Sequence, residues 1–81
     1  MVEVSWQMVK GASGYYVYRS ENPYGPYIKQ TTVGYSTLSW NDAGLKPSTT
    51  YYYKVSAFNG KEEESVLSDY AAATTLNIPR W

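Results

Sequence analysis

Apolar and polar residues alternate along most of this 81-residue chain. The alternation occurs in short runs bounded by Gly, Pro, Asn and Ser, and no run keeps the 3.6-residue apolar period of an amphipathic helix. The runs that predict strands are residues 2–8, 15–19, 27–32, 37–40, 51–58 and, more weakly, 66–76. About six short strands at this spacing are typical of an all-β sandwich.

The first two runs differ in how clearly they show a buried face. The first run places four apolar side chains on one face: Val2, Val4, Trp6 and Met8. The second run has Tyr15 and Val17 on one face. Its other face carries Tyr16 and Tyr18, so alternation alone does not say which face is inside.

The stretch of residues 44–57 is the most specific local pattern. A turn that contains Leu45 and Pro47 leads into Tyr51, and apolar residues then follow at every second position. This arrangement predicts a tyrosine corner, in which a buried ring keeps its hydroxyl satisfied by bonding the turn backbone a few residues upstream. Tyrosine corners are a feature of β-sandwich domains, so the stretch indicates architecture and says little about function.

The order and spacing of several motifs resemble a fibronectin type III domain, in particular the variants found between modules of bacterial secreted enzymes and surface proteins. The resembling segments are Val4-Ser5-Trp6 (strand B with its core Trp), residues 11–20 (strand C), Gly25-Pro26-Tyr27 (start of strand C′), residues 42–51 (the E–F corner), Val55-Ser56-Ala57 (strand F) and residues 68–75 (strand G). The resemblance covers roughly residues 2–76. It implies one immunoglobulin-like antiparallel β-sandwich domain over residues 1–76, with residues 77–81 as a C-terminal tail or inter-module linker.

The resemblance also implies which side chains form the core. The expected core residues are Trp6, Tyr15, Val17, Tyr27, Leu38, Trp40, Leu45, Tyr51, Tyr53, Val55 and Ala57. Under this assignment Trp6 and Trp40 are structural, and their alternative role as exposed platforms for sugar rings is disfavoured.

One departure from the family concerns its first strand. Fibronectin type III domains normally begin with a strand A, whereas only three residues precede Val4 here. Strand A is therefore expected to be missing or truncated, which would leave the edge of strand B open to association. We hypothesise that residues 76–81, which include Ile78 and Trp81, or a neighbouring chain cover part of that edge; the alternative is that these residues are a linker toward the next module.

Composition excludes several classes of function. Seven basic and seven acidic residues balance, so the chain carries no electrostatic signature of binding to nucleic acid or to an anionic membrane. No apolar run is long enough to span a bilayer. Cys and His are both absent, which removes disulfides, Ser-His-Asp triads and the usual zinc sites. We expect no cofactor, no metal site and no enzymatic activity.

Three consecutive acidic residues, Glu62, Glu63 and Glu64, invite a catalytic or metal-binding interpretation. Calcium sites need spaced oxygen ligands on a shaped loop, and paired catalytic carboxylates need a cleft between them. A run of Glu at the tip of a small sandwich offers neither, so we predict a solvated loop. The Arg-Gly-Asp tripeptide that the family uses to contact integrins is absent from this loop, and integrin-type adhesion is not supported.

The outward aromatic residues are the candidate binding residues. They are Tyr16, Tyr18, Tyr52 and Phe58. Because strands C and F are neighbours in the fold that the resemblance implies, these rings could form one exposed patch, and such patches can mark binding surfaces. The alternative is that they are ordinary strand residues whose rings cover their neighbours.

The resemblance implies a non-catalytic module of a larger extracellular or cell-surface protein. Its expected role is that of a spacer and accessory domain, with neighbouring modules of the same polypeptide and a further protein as partners. A first alternative is a polysaccharide-binding module that uses the aromatic face. A second alternative is an adhesion or receptor-type domain that uses the B–C, D–E-equivalent and F–G loops.

Overall fold

The computed structural model describes residues 2–61, 63–65 and 75–76, the last pair by backbone alone. Within these residues the chain forms six strands and no helix. The strands are β1 (Val2–Trp6), β2 (Gly14–Ser20), β3 (Ile28–Gly34), β4 (Ser39–Asp42), β5 (Tyr52–Phe58) and β6 (Thr75–Leu76). Most of the predicted sixth run, residues 66–74, lies outside the described residues.

The described strands form two sheets, with the orders β4-β1-β6 and β3-β2-β5. Strand β2 pairs antiparallel with both of its neighbours, and Val17 lies opposite Thr31 on one side and Val55 on the other. Strand β1 is antiparallel to β4 and parallel to β6. The all-β sandwich predicted from the sequence is confirmed, as is the adjacency of the strands that correspond to C and F.

The core lies between the two sheets. Its buried apolar residues are Val4, Trp6, Val9, Tyr15, Val17, Tyr51, Tyr53, Val55 and Ala57. Trp40 and Leu45 are partly buried and pack against this cluster. The rings of Trp6 and Tyr15 have centroids 5.7 Å apart, and they come from opposite sheets. Burying side chains of this size stabilises the fold by about 2 kcal/mol each, so this cluster is the main source of cohesion between the sheets.

The end of β1 differs from the sequence prediction. The alternating pattern places Met8 on the buried face, yet Met8 is 67% exposed and the buried residue is Val9. The reason is that β1 ends at Trp6, and a turn follows in which the amide of Ala12 donates to the carbonyl oxygen of Val9. Once the chain leaves the strand, the two-residue period no longer decides which side chain points inward.

Two further residues that were expected in the core lie elsewhere. Leu38 is 36% exposed, because it precedes β4 and contributes its carbonyl oxygen to the amide of Trp6 rather than its side chain to the interior. Tyr27 precedes β3 and is half-buried. Its ring lies under the ammonium group of Lys54, 4.6 Å from the ring centroid, and its hydroxyl donates to the carbonyl oxygen of Pro23.

The edge of β1 is occupied in part by the C-terminal strand. On the side of β1 away from β4, Ser5 lies opposite Thr75 and Trp6 opposite Leu76. The sequence predicted that this side of β1 would lack strand A, its usual neighbour in the family. Strand β6 lies there instead. Residues 77–81, the proposed tail or linker, lie outside the described residues.

Candidate functional site

The outer face of the β3-β2-β5 sheet carries the four aromatic residues that were predicted as a binding patch. Each of them is partly exposed. The register of β2 and β5 brings Tyr16 next to Phe58, with ring centroids 4.5 Å apart. Tyr52 is six residues away from Phe58 on β5, about 20 Å along the strand, so the sheet does not gather all four rings at one point.

The ring of Tyr16 is engaged on both of its faces. Phe58 stacks against it with an interplanar angle of 25°. The ammonium group of Lys29 lies 3.6 Å from its ring centroid. Rings only 4.5 Å apart leave no room for an ammonium group between them, so Lys29 covers the opposite face of Tyr16. This is a cation–π contact on one side and an aromatic stack on the other.

The ring of Phe58 packs over a glycine of the neighbouring strand, Gly14. Gly14 lies opposite Phe58 in the register of β2 and β5. A Cβ atom added at Gly14 would come within 2.6 Å of the Phe58 ring carbon Cζ and would overlap the carbonyl oxygen of Val33. The ring therefore fills the space that a side chain at position 14 would need, and the sequence signal for this contact is a glycine at the start of an aromatic strand.

Glu64 accepts hydrogen bonds from two hydroxyl groups on the outer face. Its Oε2 atom accepts from the Tyr18 hydroxyl at 2.8 Å and also from the Ser56 hydroxyl. The loop that carries Glu64 is held to β5 because the amide of Ser65 donates to the carbonyl oxygen of Ala57, while Ser65 Oγ accepts from the amide of Ala57. Burial, followed by the hydrogen bond to Glu64, raises the pKa of Tyr18 to about 12.

The other described residues of the acidic loop form hydrogen bonds within the loop. Glu63 accepts from the side-chain amide of Asn59 through Oε1, at 3.0 Å. The Asn59 Oδ1 atom accepts from the amides of Lys61 and Glu63. Glu62 lies outside the described residues. Across the described residues, no cluster of three or more His, Cys, Asp or Glu side chains could hold a metal ion.

A second carboxylate, Asp42, lies between the two sheets. Its side chain is almost fully buried. The Oδ2 atom accepts from Arg19 Nη1 at 2.7 Å and from the Tyr53 hydroxyl at 2.9 Å. Burial, followed by the hydrogen bond to Asp42, raises the pKa of Tyr53. The group joins β2, β4 and β5, so it links the sheets through polar contacts.

Sequence reasoning did not identify the Asp42 group. Asp42 stands in Asn41-Asp42-Ala43-Gly44, which has the composition of a turn, and a turn Asp is usually solvated. The sequence feature that could have indicated this group is Arg19. It follows Tyr15 and Val17 at the two-residue spacing of a strand, so its side chain is expected to point toward the core. A cation on an inward face needs an anionic partner.

The tyrosine corner has the expected geometry. The hydroxyl of Tyr51 accepts from the amide of Lys46 at 2.9 Å, and the ring is buried. The guanidinium of Arg19 lies 5.3 Å from the centroid of this ring. The corner and the Asp42 group are therefore adjacent, and together they fix the start of β5 against β2.

Exposed apolar side chains occur near both ends of the sandwich. Met8, Tyr35 and Leu38 lie in the loops at the end where β1 and β3 finish, and Tyr35 is 64% exposed. At the other end Tyr24 is 93% exposed, in the turn between β2 and β3. That turn also borders an open surface cavity of about 310 Å³. Two charged residues that line the cavity, Arg19 and Glu21, are already ion-paired with Asp42 and Lys46.

Comparison with known proteins supports the fold. No protein-family model matches the chain. The structure is similar to that of an Fn3-like protein from Clostridium thermocellum, with a TM-score of 0.73 and 29% sequence identity; the match covers 95% of this chain and 75% of that chain. The chain is thus an all-β sandwich of the immunoglobulin-like class, and more specifically a fibronectin type III-like domain. In the part of the chain that the structure describes, no helix is long and apolar enough to cross a membrane.

Proposed function

We propose that the domain is a non-catalytic spacer module of a larger extracellular or cell-surface protein, in which it separates neighbouring modules and contacts them. The observation that carries this proposal is the parallel pairing of β1 with β6. Strand β1 runs from Val2 to Trp6, and Leu76 lies beside Trp6. Val2, where β1 begins, and Leu76, where β6 ends, therefore lie at opposite ends of β1.

This topology suits a spacer because modules attached at the two ends would be held apart by the length of the sandwich. The longest dimension of the structure is 39 Å. A flexible Gly/Ser linker samples a broad range of end-to-end distances, whereas a packed sandwich holds one. The buried core and the Asp42 group resist relative sliding of the two sheets, which is the deformation that would change that distance.

The spacer proposal can be tested by fusing a rigid reporter domain to each end of the chain. Single-molecule energy transfer between the reporters should give one narrow distance distribution. The matched control replaces the 81 residues by a Gly/Ser segment of equal length and should give a broad distribution. Equal widths in the two fusions would contradict the spacer role.

The extracellular location needs a separate test. In the source cell, an epitope tag on the parent protein should be recovered in the secreted or surface-exposed fraction and should be cleaved by protease added to intact cells. A cytoplasmic protein serves as the control for lysis. Recovery only after lysis would overturn the location without affecting the spacer proposal.

Polysaccharide binding by Tyr16, Tyr18, Tyr52 and Phe58 remains the first alternative. Partial exposure of the four rings on one sheet favours it. Phe58 stacks on one face of the Tyr16 ring and Lys29 covers the other. These contacts weigh against polysaccharide binding at Tyr16, because a sugar ring needs an open aromatic face. Affinity electrophoresis through glucans and chitin derivatives tests this alternative: retardation that Tyr18→Ala abolishes and Tyr24→Ala preserves would support it.

The second alternative is adhesion through the loops, and the exposure of Met8, Tyr35 and Leu38 favours it. In a pull-down from material of the source organism, a partner that binds through this end should be lost on Tyr35→Ser. Charge reversal at Glu63 and Glu64 tests the contribution of the acidic loop. Tyr24→Ser is the control, since Tyr24 lies at the opposite end of the sandwich.

A further inference from the structure

The turn that follows β5 contains the one Asn-Gly pair of the sequence. Gly60 follows Asn59, whereas the other asparagines, Asn22, Asn41 and Asn77, precede Pro, Asp and Ile. An asparagine side chain followed by glycine is the most open to attack by the next peptide nitrogen, because glycine has no Cβ to obstruct the approach. Asn59 is half-buried and Gly60 is exposed, so water reaches the pair.

The side chain of Asn59 is folded toward the backbone that follows it. Its Oδ1 atom accepts from the amide of Lys61 at 2.9 Å and from the amide of Glu63 at 3.2 Å. The Gly60 nitrogen belongs to the ring of atoms that the first of these hydrogen bonds closes, so the bond holds the side-chain carbonyl near that nitrogen. Two donors on a carbonyl oxygen stabilise the negative charge that develops there when the carbon is attacked. The loop therefore supplies both proximity and charge stabilisation for attack on Asn59 Cγ.

The Gly60 nitrogen is free to attack. Among the described residues, no group accepts a hydrogen bond from the Gly60 amide. The turn does not require glycine for its conformation, since positive φ occurs at Gly11, Gly25 and Gly44 and not at Gly60. A Cβ atom added at Gly60 would lie 3.8 Å from Ser13 Oγ, which is an ordinary contact. A larger residue would thus fit here, and glycine leaves the approach to Asn59 open.

We propose that Asn59 is a self-deamidation site, at which the folded loop converts the asparagine into aspartate and isoaspartate. The Gly60 nitrogen bonds to Asn59 Cγ and loses its proton, the bond from Cγ to Nδ2 breaks, and the proton leaves with Nδ2 as ammonia. The product is a cyclic succinimide. Water then opens either of its two carbonyl groups, which gives aspartate or isoaspartate. Water is the one co-reactant, and the step involves no oxidation or reduction.

The conversion changes the charge of the loop at the point where Asn59 and Glu63 meet. Asn59 Nδ2 donates to Glu63 Oε1 at 3.0 Å. In the aspartate product a carboxylate oxygen replaces this donor, and two like charges so close together repel. Seven acidic residues become eight, against seven basic ones. Glu63 precedes Glu64, whose carboxylate bonds Tyr18 and Ser56, so the change lies beside the contact between the loop and the outer face.

Incubation of the folded domain in mildly alkaline buffer made with ¹⁸O-enriched water tests the proposal. Peptide mapping by mass spectrometry should find the label at residue 59, together with the mass change of an amide converted into a carboxylate, and should find neither at the other asparagines. Gly60→Ala should slow the conversion severalfold, because its Cβ obstructs the attacking nitrogen. Gly34→Ala is the matched control: position 34 also has no positive φ and has open space for a Cβ, so Asn59 should convert at the rate of the unaltered chain.

The contribution of the folded loop is measured by the same incubation in urea, above the midpoint of unfolding. The folded domain should convert at least as fast as the unfolded chain, because the two amides that bond Asn59 Oδ1 are in place only in the fold. The converted protein should coelute in ion exchange with the Asn59→Asp variant, which carries the same charge. Slower conversion in the folded domain than in urea, or no label at residue 59, would refute the proposal by showing that the loop protects its asparagine. The proposal concerns a covalent change within this chain, so it holds or fails independently of the spacer role.

Discussion

Two carboxylates of this domain make similar hydrogen bonds in very different surroundings. Asp42 accepts from a tyrosine hydroxyl and from Arg19 in the interior. Glu64 accepts from a tyrosine hydroxyl and from Ser56 on the outer face. The first group joins strands of both sheets, while the second attaches a loop to one sheet. The comparison shows that burial and location, rather than the number of hydrogen bonds, decide how much of the fold depends on a polar group.

The physical reason is the cost of leaving a charge without a partner. Breaking a buried ion pair by removing one member leaves a charge that water reaches poorly, whereas an exposed partner regains water. The Asp42 side chain is 5% exposed, and that of Arg19 is 27% exposed. Removal of Asp42 should therefore affect the whole domain, and removal of Glu64 should affect one loop.

The largest expected effect comes from Asp42→Ala. This change leaves Arg19 and the Tyr53 hydroxyl without their shared acceptor, so the free energy of unfolding should fall by about 3 kcal/mol. Urea denaturation followed by tryptophan fluorescence measures it. Asp42→Asn, which keeps an acceptor of similar shape, is the control and should cost less. A loss below about 1 kcal/mol for the alanine variant would show that the group does not hold the sheets together.

The two tyrosine hydroxyls give the next largest contrast. Tyr53→Phe removes a hydroxyl that donates to a buried carboxylate and should cost about 1–2 kcal/mol. Tyr18→Phe removes the equivalent hydroxyl on the outer face and should cost less than about 1 kcal/mol, because Glu64 regains water. Both variants keep the ring, so the difference between their urea midpoints reports only on the hydroxyl. Equal losses would contradict the ranking by burial.

Replacement of Glu64 by Ala should have a small global effect, less than about 1 kcal/mol. Its local effect should be larger, because the loop loses two side-chain hydrogen bonds to the sheet. Hydrogen exchange at the amides of Ala57 and Ser65 should speed up, while exchange at Val17 stays unchanged. Faster exchange at Val17 as well would mean that the loop supports the core.

The smallest expected effect is on the pH dependence of stability. The pKa of Tyr18 is raised from 10.0 to about 12, first by burial and then by the hydrogen bond to Glu64. The folded state thus keeps the Tyr18 proton more tightly than the unfolded chain does. This contribution to stability is complete below pH 10 and is lost as the pH rises from 10 toward 12.

Alkaline titration checks this expectation through the absorbance of tyrosinate. The ionisation of Tyr18, expected near pH 12, should be absent from the Tyr18→Phe variant. In the Glu64→Gln variant the same ionisation should occur at lower pH. Urea denaturation at pH 9 and at pH 11 should show a loss of stability between the two values that is smaller in Tyr18→Phe. An unchanged loss in that variant would assign the pH dependence to other groups.

Much of the fold could be predicted from the sequence because strands with one buried face leave a two-residue pattern. The spacing around Tyr51 located the corner. The alternation on β2 left its inner face undecided, and the resemblance to fibronectin type III domains assigned Val17 and Val55 to the core, where the structure has them. Strand ends were less predictable. Met8 continues the pattern in the sequence, but β1 ends at Trp6 and the turn that follows, in which the amide of Ala12 donates to the carbonyl oxygen of Val9, buries Val9 instead.

The polar groups were harder to predict than the strands. Asp42 has the sequence context of a turn residue, and only the packing of β2 against β4 and β5 shows that it is a buried acceptor. The aromatic face was recognised as four outward rings. The sequence does not show that Lys29 and Phe58 enclose Tyr16, because that contact depends on the register between three strands.

The pairing of β1 with β6 has a consequence for how the domain is made. Ser5 and Thr75 are partners, so β1 leaves the ribosome well before β6, the strand that pairs with it in parallel. Strand β4 precedes β6 in the chain, so it can pair with β1 sooner; in that pairing Val2 lies opposite Asp42. During synthesis this edge of β1 therefore lacks its β6 partner until residues 75–76 emerge. In a polypeptide that contains several such modules, nascent neighbours would compete for that edge, and sequence divergence between adjacent modules would protect against exchange of their strands.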